Sequence, residues 1–492
     1  MEKQLRRRAL HGAGWTIGGF GLSRVLRLLN HLILAWILAP QVFGLMTLVR
    51  IFKQGLEMFS DLGIRPSIIR SQRGLDSDFL NTAWTIQVIR GAGLWVASCV
   101  LAVPYAWIYS QNNSEATQLK YLIPVAGLSA LIAGFQSTSL AILSRKLEVG
   151  KCTILEIKTQ IVTLISIVVW ALISPSIWAM IGGGIIGNIY QVYASYRIIP
   201  GHQVGFMFNQ ECARELYSFG KWIFFSTLFS FLAINIDKLA LGNMLSLSEL
   251  GVYGIAFVFS QVALDISMRL SNSVIFPVLA QLQTEPERLV RVSLKGRWVV
   301  LWVGGIACVC FAIFAPLFFE TLWSIEYHSA GTIAQWLSIY VWCRILLNSM
   351  DRIPLALGNS RALFLSNVFQ FLGIVPAAIG YTISGLSAFI LGLSLGPLAA
   401  QVFLLRYLPS QGRELLSQSF RFTLVMVGIG ATAVVGFSNL RPVISNSLWA
   451  AIVLVTCGIL SLVAIATVGR LSGIQQLESF RWNRLSKILK QH

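Results

Sequence analysis

The side chains able to do chemistry are a few ionisable groups set inside long apolar stretches. Arg24, Arg27 and His31 follow i, i+3, i+7 spacing and share one helical face. Arg50, Lys53, Glu57 and Asp61 share a face in the next stretch, and Arg90 lies in the third. Each such group costs on the order of 2.5–3.5 kcal/mol at a bilayer centre, so it normally faces a cavity or a partner. Four or five cations at similar depth would cost roughly 10 kcal/mol or more without partners, which a structural role hardly justifies. One reading lets Arg50, Lys53, Glu57 and Asp61 satisfy one another along a single helix. It leaves Arg24, Arg27 and Arg90 with no acidic residue nearby in sequence. The sharper reading is a water-filled cavity of positive potential, suited to a phosphate or pyrophosphate. Guanidinium matches phosphate with paired donors, which lysine cannot reproduce.

Charges are more balanced further on. Asp237 adjoins Lys238, Asp265 precedes Arg269 by one turn, and Arg344 shares a stretch with Asp351 and Arg352. Glu156 and Gln160 mark an earlier stretch. Adjacent opposite charges are expected to pair internally. A carboxylate on such a pathway can also carry protons, with Asp237 the first candidate and Asp265, Asp351 and Glu57 behind it. The expected substrate-binding set is therefore Arg24, Arg27, Arg50, Lys53, Arg90 and Arg344, with no catalytic residue, metal or cofactor.

These residues need membrane helices to hold them. Of 492 residues, 55% are hydrophobic and 12% charged. Apolar stretches of about 20 residues, the length that crosses a bilayer, recur from end to end. About fourteen are distinguishable, near 12–38, 41–60, 80–108, 119–143, 153–173, 177–196, 217–244, 249–269, 298–319, 331–357, 362–383, 386–405, 420–437 and 446–468. The predicted class is an all-α polytopic membrane protein. The basic start (Lys3, Arg6, Arg7, Arg8) leads into a stretch interrupted by Arg24 and Arg27, which does not suit a cleaved signal peptide.

The net charge of +18 invites a nucleic-acid reading, and its distribution argues against one. Roughly 26 Lys and Arg collect in alternate connectors, against about two, Lys120 and Arg441, in the others. That asymmetry puts both termini in the cytoplasm and the hairpins near Gln41, Glu249 and Ser384 outside it. The charge reports topology rather than a DNA partner.

The sequence also repeats. Trp15, Ser23, Leu32, Leu34, Leu38, Gly44, Phe52, Gln54 and Ser60 recur without a gap as Trp222, Ser230, Leu239, Leu241, Leu245, Gly251, Phe259, Gln261 and Ser267. The offset of 207 residues spans about six helices, which predicts a parallel repeat, an arrangement common in secondary transporters. The expected organisation is an N-terminal lobe at 1–196, a cytoplasmic linker at 197–216 and a C-terminal lobe at 217–408. Two further helices and a basic tail at 409–492 have no counterpart in the repeat.

Several motifs are decoys. The run from Gly182 to Gly187 matches GxGxxG but lies within a predicted membrane helix, where small residues serve close packing. Seven cysteines sit singly, and Cys308 with Cys310 suits neither a disulfide nor a metal clip.

Pro40-Gln41-x-Phe43-Gly44 closes the first hairpin, and Asp61-Leu62-Gly63-Ile64 ends the second helix. Ser144-Arg145-Lys146-Leu147 follows the fourth, and Asp237-Lys238 with Gly242 marks the seventh. With these motifs the chain resembles the bacterial polysaccharide transporter family, flippases of lipid-linked oligosaccharides. Their superfamily also holds the multidrug and toxin extruders and the lipid II flippase. The pattern departs at Glu148-Val149, where the family would place an aromatic residue. The resemblance implies a two-lobed, V-shaped bundle in the bacterial inner membrane. It implies alternating-access transport of an undecaprenyl-pyrophosphate-linked oligosaccharide for exopolysaccharide, capsule or lipopolysaccharide synthesis. Membrane lipids, a polysaccharide polymerase and its co-polymerase are the expected partners, and the chain is expected to be a monomer.

Two rivals remain. A cation-coupled multidrug exporter on the same fold exports mostly cationic compounds, against which an arginine-rich cavity argues. A membrane glycan polymerase or ligase would resemble its class in a large outer loop with Arg and His. Here the outward connectors are short, and the two longest offer only His328.

Overall fold

A backbone in hydrocarbon must satisfy its own hydrogen bonds, and a chain this apolar does so by forming helices. The computed structural model describes residues 2–60, 64–71, 73–146, 148–275, 278–279, 282, 286–357, 359–407 and 412–440. Among them all regular structure is helical. The first half comprises α1 (Glu2–Ala35), α2 (Pro40–Phe59), α3 (Ile64–Arg70), α4 (Ser77–Ser110), α5 (Leu119–Gly134), α6 (Ser139–Arg145), α7 (Val149–Ile173) and α8 (Ile177–Arg197). The second comprises α9 (Gln210–Met244), α10 (Leu247–Leu270), α11 (Pro286–Leu322), α12 (Ser329–Ala356), α13 (Ser360–Leu372), α14 (Ile374–Leu404) and α15 (Gly412–Leu440).

The apolar stretches up to 420–437 fall on these helices, while 446–468 and the basic tail lie outside the described residues. The stretch at 119–143 is not one helix: α5 stops at Gly134, and α6 restarts at Ser139. Arg145 explains part of its motif there, since its guanidinium donates to the carbonyls of Ile68 and Ser71 and holds the end of α3. The stretches 362–383 and 386–405 fold back on each other inside α14. Ser384 and Gly385 turn the chain, and Gly385 does so at φ 70, which only glycine adopts without strain. Among the described residues, seven helical stretches are long and apolar enough to cross a membrane by length and composition. Helix α2, which carries Arg50, Lys53 and Glu57, is not one of them.

The halves meet along α2 and α10, close to their N-termini. A Cβ at Gly44 would overlap the Leu247 carbonyl, and one at Gly251 would overlap that of Pro40. Nearby, Trp36 Nε1 donates to Leu322 O at 3.0 Å and Tyr327 OH to Leu38 O at 2.9 Å. Asn112 and Asn113 reach Asn243 O and Leu245 O at 2.8 and 3.1 Å. These bonds knit one end of the bundle into a single apolar core.

The linker is fastened to the first half rather than free. The backbone N–H groups of Gly205, Met207 and Asn209 donate to Asn81 Oδ1, Thr85 Oγ1 and Thr82 Oγ1 at 3.0–3.1 Å. Alternate residues bond, as an extended strand requires. Thr138 Oγ1 meets His202 Nε2 at 3.0 Å, and burial lowers the His202 pKa. Asn209 then caps α9, its Oδ1 accepting from the N–H of Glu211 and of Cys212.

Helix α15 docks firmly on the second half. Arg297, expected in a solvated connector, is 1% exposed and donates to Ser349 Oγ, Leu415 O and Ser419 Oγ. Trp298 and Trp302 pack edge-on against Phe422 of α15.

Candidate anion-binding site

The ionisable residues sort into open and closed groups. Arg27 and Arg50 are exposed, although both lie well inside their helices. Arg27 donates from Nε to the carbonyl of Ser23 in its own helix at a long 3.4 Å. Neither has an ion pair among the described residues. A long basic side chain that is exposed midway along a membrane helix faces open space inside the bundle or the lipid. Arg24, Arg27 and Arg50 all interact coulombically with His31, which is 9% exposed. Arg50 and Arg344 act together on Lys238, and Arg24, Arg27 and Arg344 act together on Asp265. Arginines from α1, α2 and α12 therefore share one region between the halves.

Arg24 has the acidic partner that its sequence neighbourhood lacks. Its Nη2 meets Asp265 Oδ2 at 2.8 Å and donates to Val258 O at 3.1 Å, both on α10. Asp265 was expected to pair with Arg269 one turn away; its ion pair instead crosses between the halves. Arg344 lies 5.9 Å from the Tyr340 ring centroid and is half-buried.

Arg90 and Lys53 have partners close by. Arg90 Nε donates to Ser60 Oγ at 2.9 Å and Nη2 to Glu57 O at 2.8 Å, so it covers the carbonyl end of α2. Lys53 Nζ lies 3.7 Å from Glu57 Oε1, the internal pairing expected along that face. Asp61, the last member, lies outside the described residues.

Asp237 and Asp351 of the second half, unlike Asp265, pair with their own neighbours. Asp237 is 1% exposed, with Lys238 Nζ at 3.1 Å and Tyr253 OH donating at 2.7 Å. Lys238 Nζ also sits 3.6 Å from the Phe257 ring centroid, so every side of the pair is sealed. Asp351 pairs with its neighbour Arg352 at 3.3 Å. Glu156 is exposed, and the buried Gln160 Oε1 has no partner. The sequence reading missed Tyr253 and Arg297. A tyrosine among apolar residues and an arginine at a helix start carry no sequence signal of what they will meet.

The site can hold an anion by convergent guanidinium groups, whose paired donors match the oxygens of a phosphate. Asp265 already occupies part of it as a tethered carboxylate.

Residues 33–332 match the family described as polysaccharide biosynthesis protein. The lipopolysaccharide biosynthesis protein WzxC of Escherichia coli (strain K12) is 24% identical over 415 residues, covering 81% of this chain and 79% of that protein. The amylovoran biosynthesis protein AmsL of Erwinia amylovora is 22% identical over 306 residues, covering 60% and 75%. Among solved structures, the lipid II flippase MurJ in an inward closed conformation superposes with TM-score 0.64 at 14% identity, covering 87% of this chain and 99% of that one. An inward-facing MATE family multidrug transporter superposes with TM-score 0.61 at 13% identity, covering 83% and 96%. At such identities the structural likeness fixes the fold, a multi-pass all-helical bundle.

Proposed function

Because the chain belongs to the polysaccharide biosynthesis protein family, matched over residues 33–332, we propose that it is a flippase for an undecaprenyl-pyrophosphate-linked oligosaccharide. It is a transporter of the inner membrane, not an enzyme, and works by alternating access. One observation carries the reading: Arg27 and Arg50 stand exposed without ion pairs, beside Arg24 and Arg344, where the two halves meet. A pyrophosphate offers the bidentate acceptors that guanidinium groups fit, and the cations repay its lost hydration. A cationic drug would meet repulsion in the same place.

The halves act as two lobes related by the internal repeat. The reciprocal approach of Gly44 to Leu247 and of Gly251 to Pro40 supports this, since Leu247 is the counterpart of Pro40 at the same offset of 207. With both termini cytoplasmic, the bonded end from Trp36 to Tyr327 closes the periplasmic side, and the cavity opens to the leaflet that supplies substrate. Access to the other side requires that bonded end to part. An arriving pyrophosphate competes with Asp265 for Arg24, which loosens the ion pair that bridges the halves.

Leaflet-specific detection of the lipid-linked glycan in a deletion strain tests the reading. Precursor should accumulate on the cytoplasmic leaflet while the exported polysaccharide is lost, because a bulky polar head does not cross about 30 Å of hydrocarbon unaided. Outward-facing precursor in that strain would end it.

A further inference from the structure

A cavity open at its mouth lies inside the first half, among α3, α4, α6, α7 and α8. Its polar wall is Gln87, Gln136, Ser137, Thr138, Glu156 and Gln191, and Ile68 and Leu155 add an apolar floor. The anion site does not use these residues.

Their hydrogen bonding shows what is fixed and what is open. Gln87 donates its amide to the carbonyls of Ala133, Gly134 and Gln136 at 2.9–3.3 Å, which holds its Oε1 still. Ser137 is engaged with Ser139, and Thr138 with His202. Gln136 Nε2 is buried without a partner, a state that costs free energy unless a ligand or water supplies an acceptor. Two charged groups line the wall, Arg65 and Glu156, of opposite sign. A wall of amides and hydroxyls with no net charge suits neither an isolated phosphate nor a metal cation. It suits a neutral ligand that presents hydroxyls on its edge and C–H groups on its face.

The cavity's position relates it to the arginines. Thr153, beside the lining residues Cys152 and Leu155, fills the space that a side chain at Gly19 would need. Along α1, Arg24 is five residues beyond Gly19 and Arg27 eight, a rise of about 8 and 12 Å. A pyrophosphate held by those arginines would carry its first sugar towards this level.

We propose that this cavity is the glycan subsite of the transporter, binding a pyranose ring of the head group. The proposal rests on the flippase reading and adds where sugar, as distinct from pyrophosphate, is recognised. Two probes separate them: undecaprenyl pyrophosphate, and the same lipid with a glucose on its terminal phosphate, each titrated against the full-length protein in nanodiscs. The wild-type protein should bind the glucosylated lipid more tightly. Gln136→Leu with Gln191→Leu should lower that affinity about tenfold, to the bare-lipid value, without changing bare-lipid binding. Arg27→Ala should weaken both probes alike. Should two leucines prevent folding, Glu156→Gln at an exposed position carries the same test with about a threefold loss. Glucosylated lipid bound as tightly by these variants as by wild type overturns the subsite and leaves the flippase reading intact. Wild type that binds neither probe overturns both.

Discussion

At the offset of 207 residues, Asn30 and His31 of α1 correspond to Asp237 and Lys238 of α9, and Arg50 of α2 to Phe257 of α10. In the second half, each element of that set closes on the others: Asp237 holds Lys238, Tyr253 donates to Asp237, and the Phe257 ring faces the ammonium. In the first half, Arg50 stands where the ring would be, His31 Nδ1 has no partner, and Arg24 reaches across to the other half for its acid. The same backbone frame thus carries charge in two ways. A pair one residue apart is neutral overall and can be buried permanently. Cations without acids nearby in sequence repel one another and need water, the opposite half or a ligand.

The largest expected effect tests the open set. Arg27→Ala and Arg50→Ala should each reduce exported polysaccharide about 10- to 100-fold at matched protein levels, as expected for the loss of a charge-assisted pair, and Arg→Lys should recover only part of it. Polysaccharide output equal to wild type in both alanine variants would erase the distinction between the halves.

The closed set should behave oppositely. Asp237→Ala strands a buried ammonium and should cost about 3–5 kcal/mol in unfolding assays in detergent. Asp237→Asn with Lys238→Met removes both charges, and should restore stability and transport together. A double variant that folds but does not transport would make the pair a coupling site and break the comparison from the other side.

Arg297 sharpens it further, as a fully buried cation with neutral partners. Arg297→Met should cost about 1–3 kcal/mol by leaving the carbonyl of Leu415 without its donor, and weaken the docking of α15. Transport per folded molecule should stay at the wild-type level, which an export assay normalised to folded protein would measure.

The smallest effect concerns the linker. Burial lowers the His202 pKa, so the docked linker binds fewer protons than the released one. Its attachment should be at full strength above pH about 6.5 and weaken as the pH falls below it. Hydrogen exchange at Gly205, Met207 and Asn209, corrected for intrinsic rates, should speed up at pH 5.5 and not in His202→Gln. Equal acid sensitivity in that variant would remove His202 from the account.

The helix positions were readable because apolar stretches of bilayer length leave the backbone no alternative. The turn at Ser384 and Gly385 was readable too, as the gap between two such stretches. The break after Gly134 was not, because it falls within a stretch that reads as continuously apolar. Adjacent pairs such as Asp237–Lys238 and Asp351–Arg352 were legible because one residue of separation forces proximity. The Arg24–Asp265 pair was not, since 241 residues separate its members and only the meeting of α1 with α10 joins them.

By itself the sequence determined the all-helical membrane class and the stock of cations that cannot be satisfied locally, both properties of spacing and composition. Tertiary structure alone decided which cations stay available. Arg90 and Arg297 were taken by carbonyls and hydroxyls of neighbouring helices, and Arg24 by an acid of the opposite half. Arg27 and Arg50 were left facing open space, because whether a charge is sealed depends on what the fold brings to within a few ångströms of it.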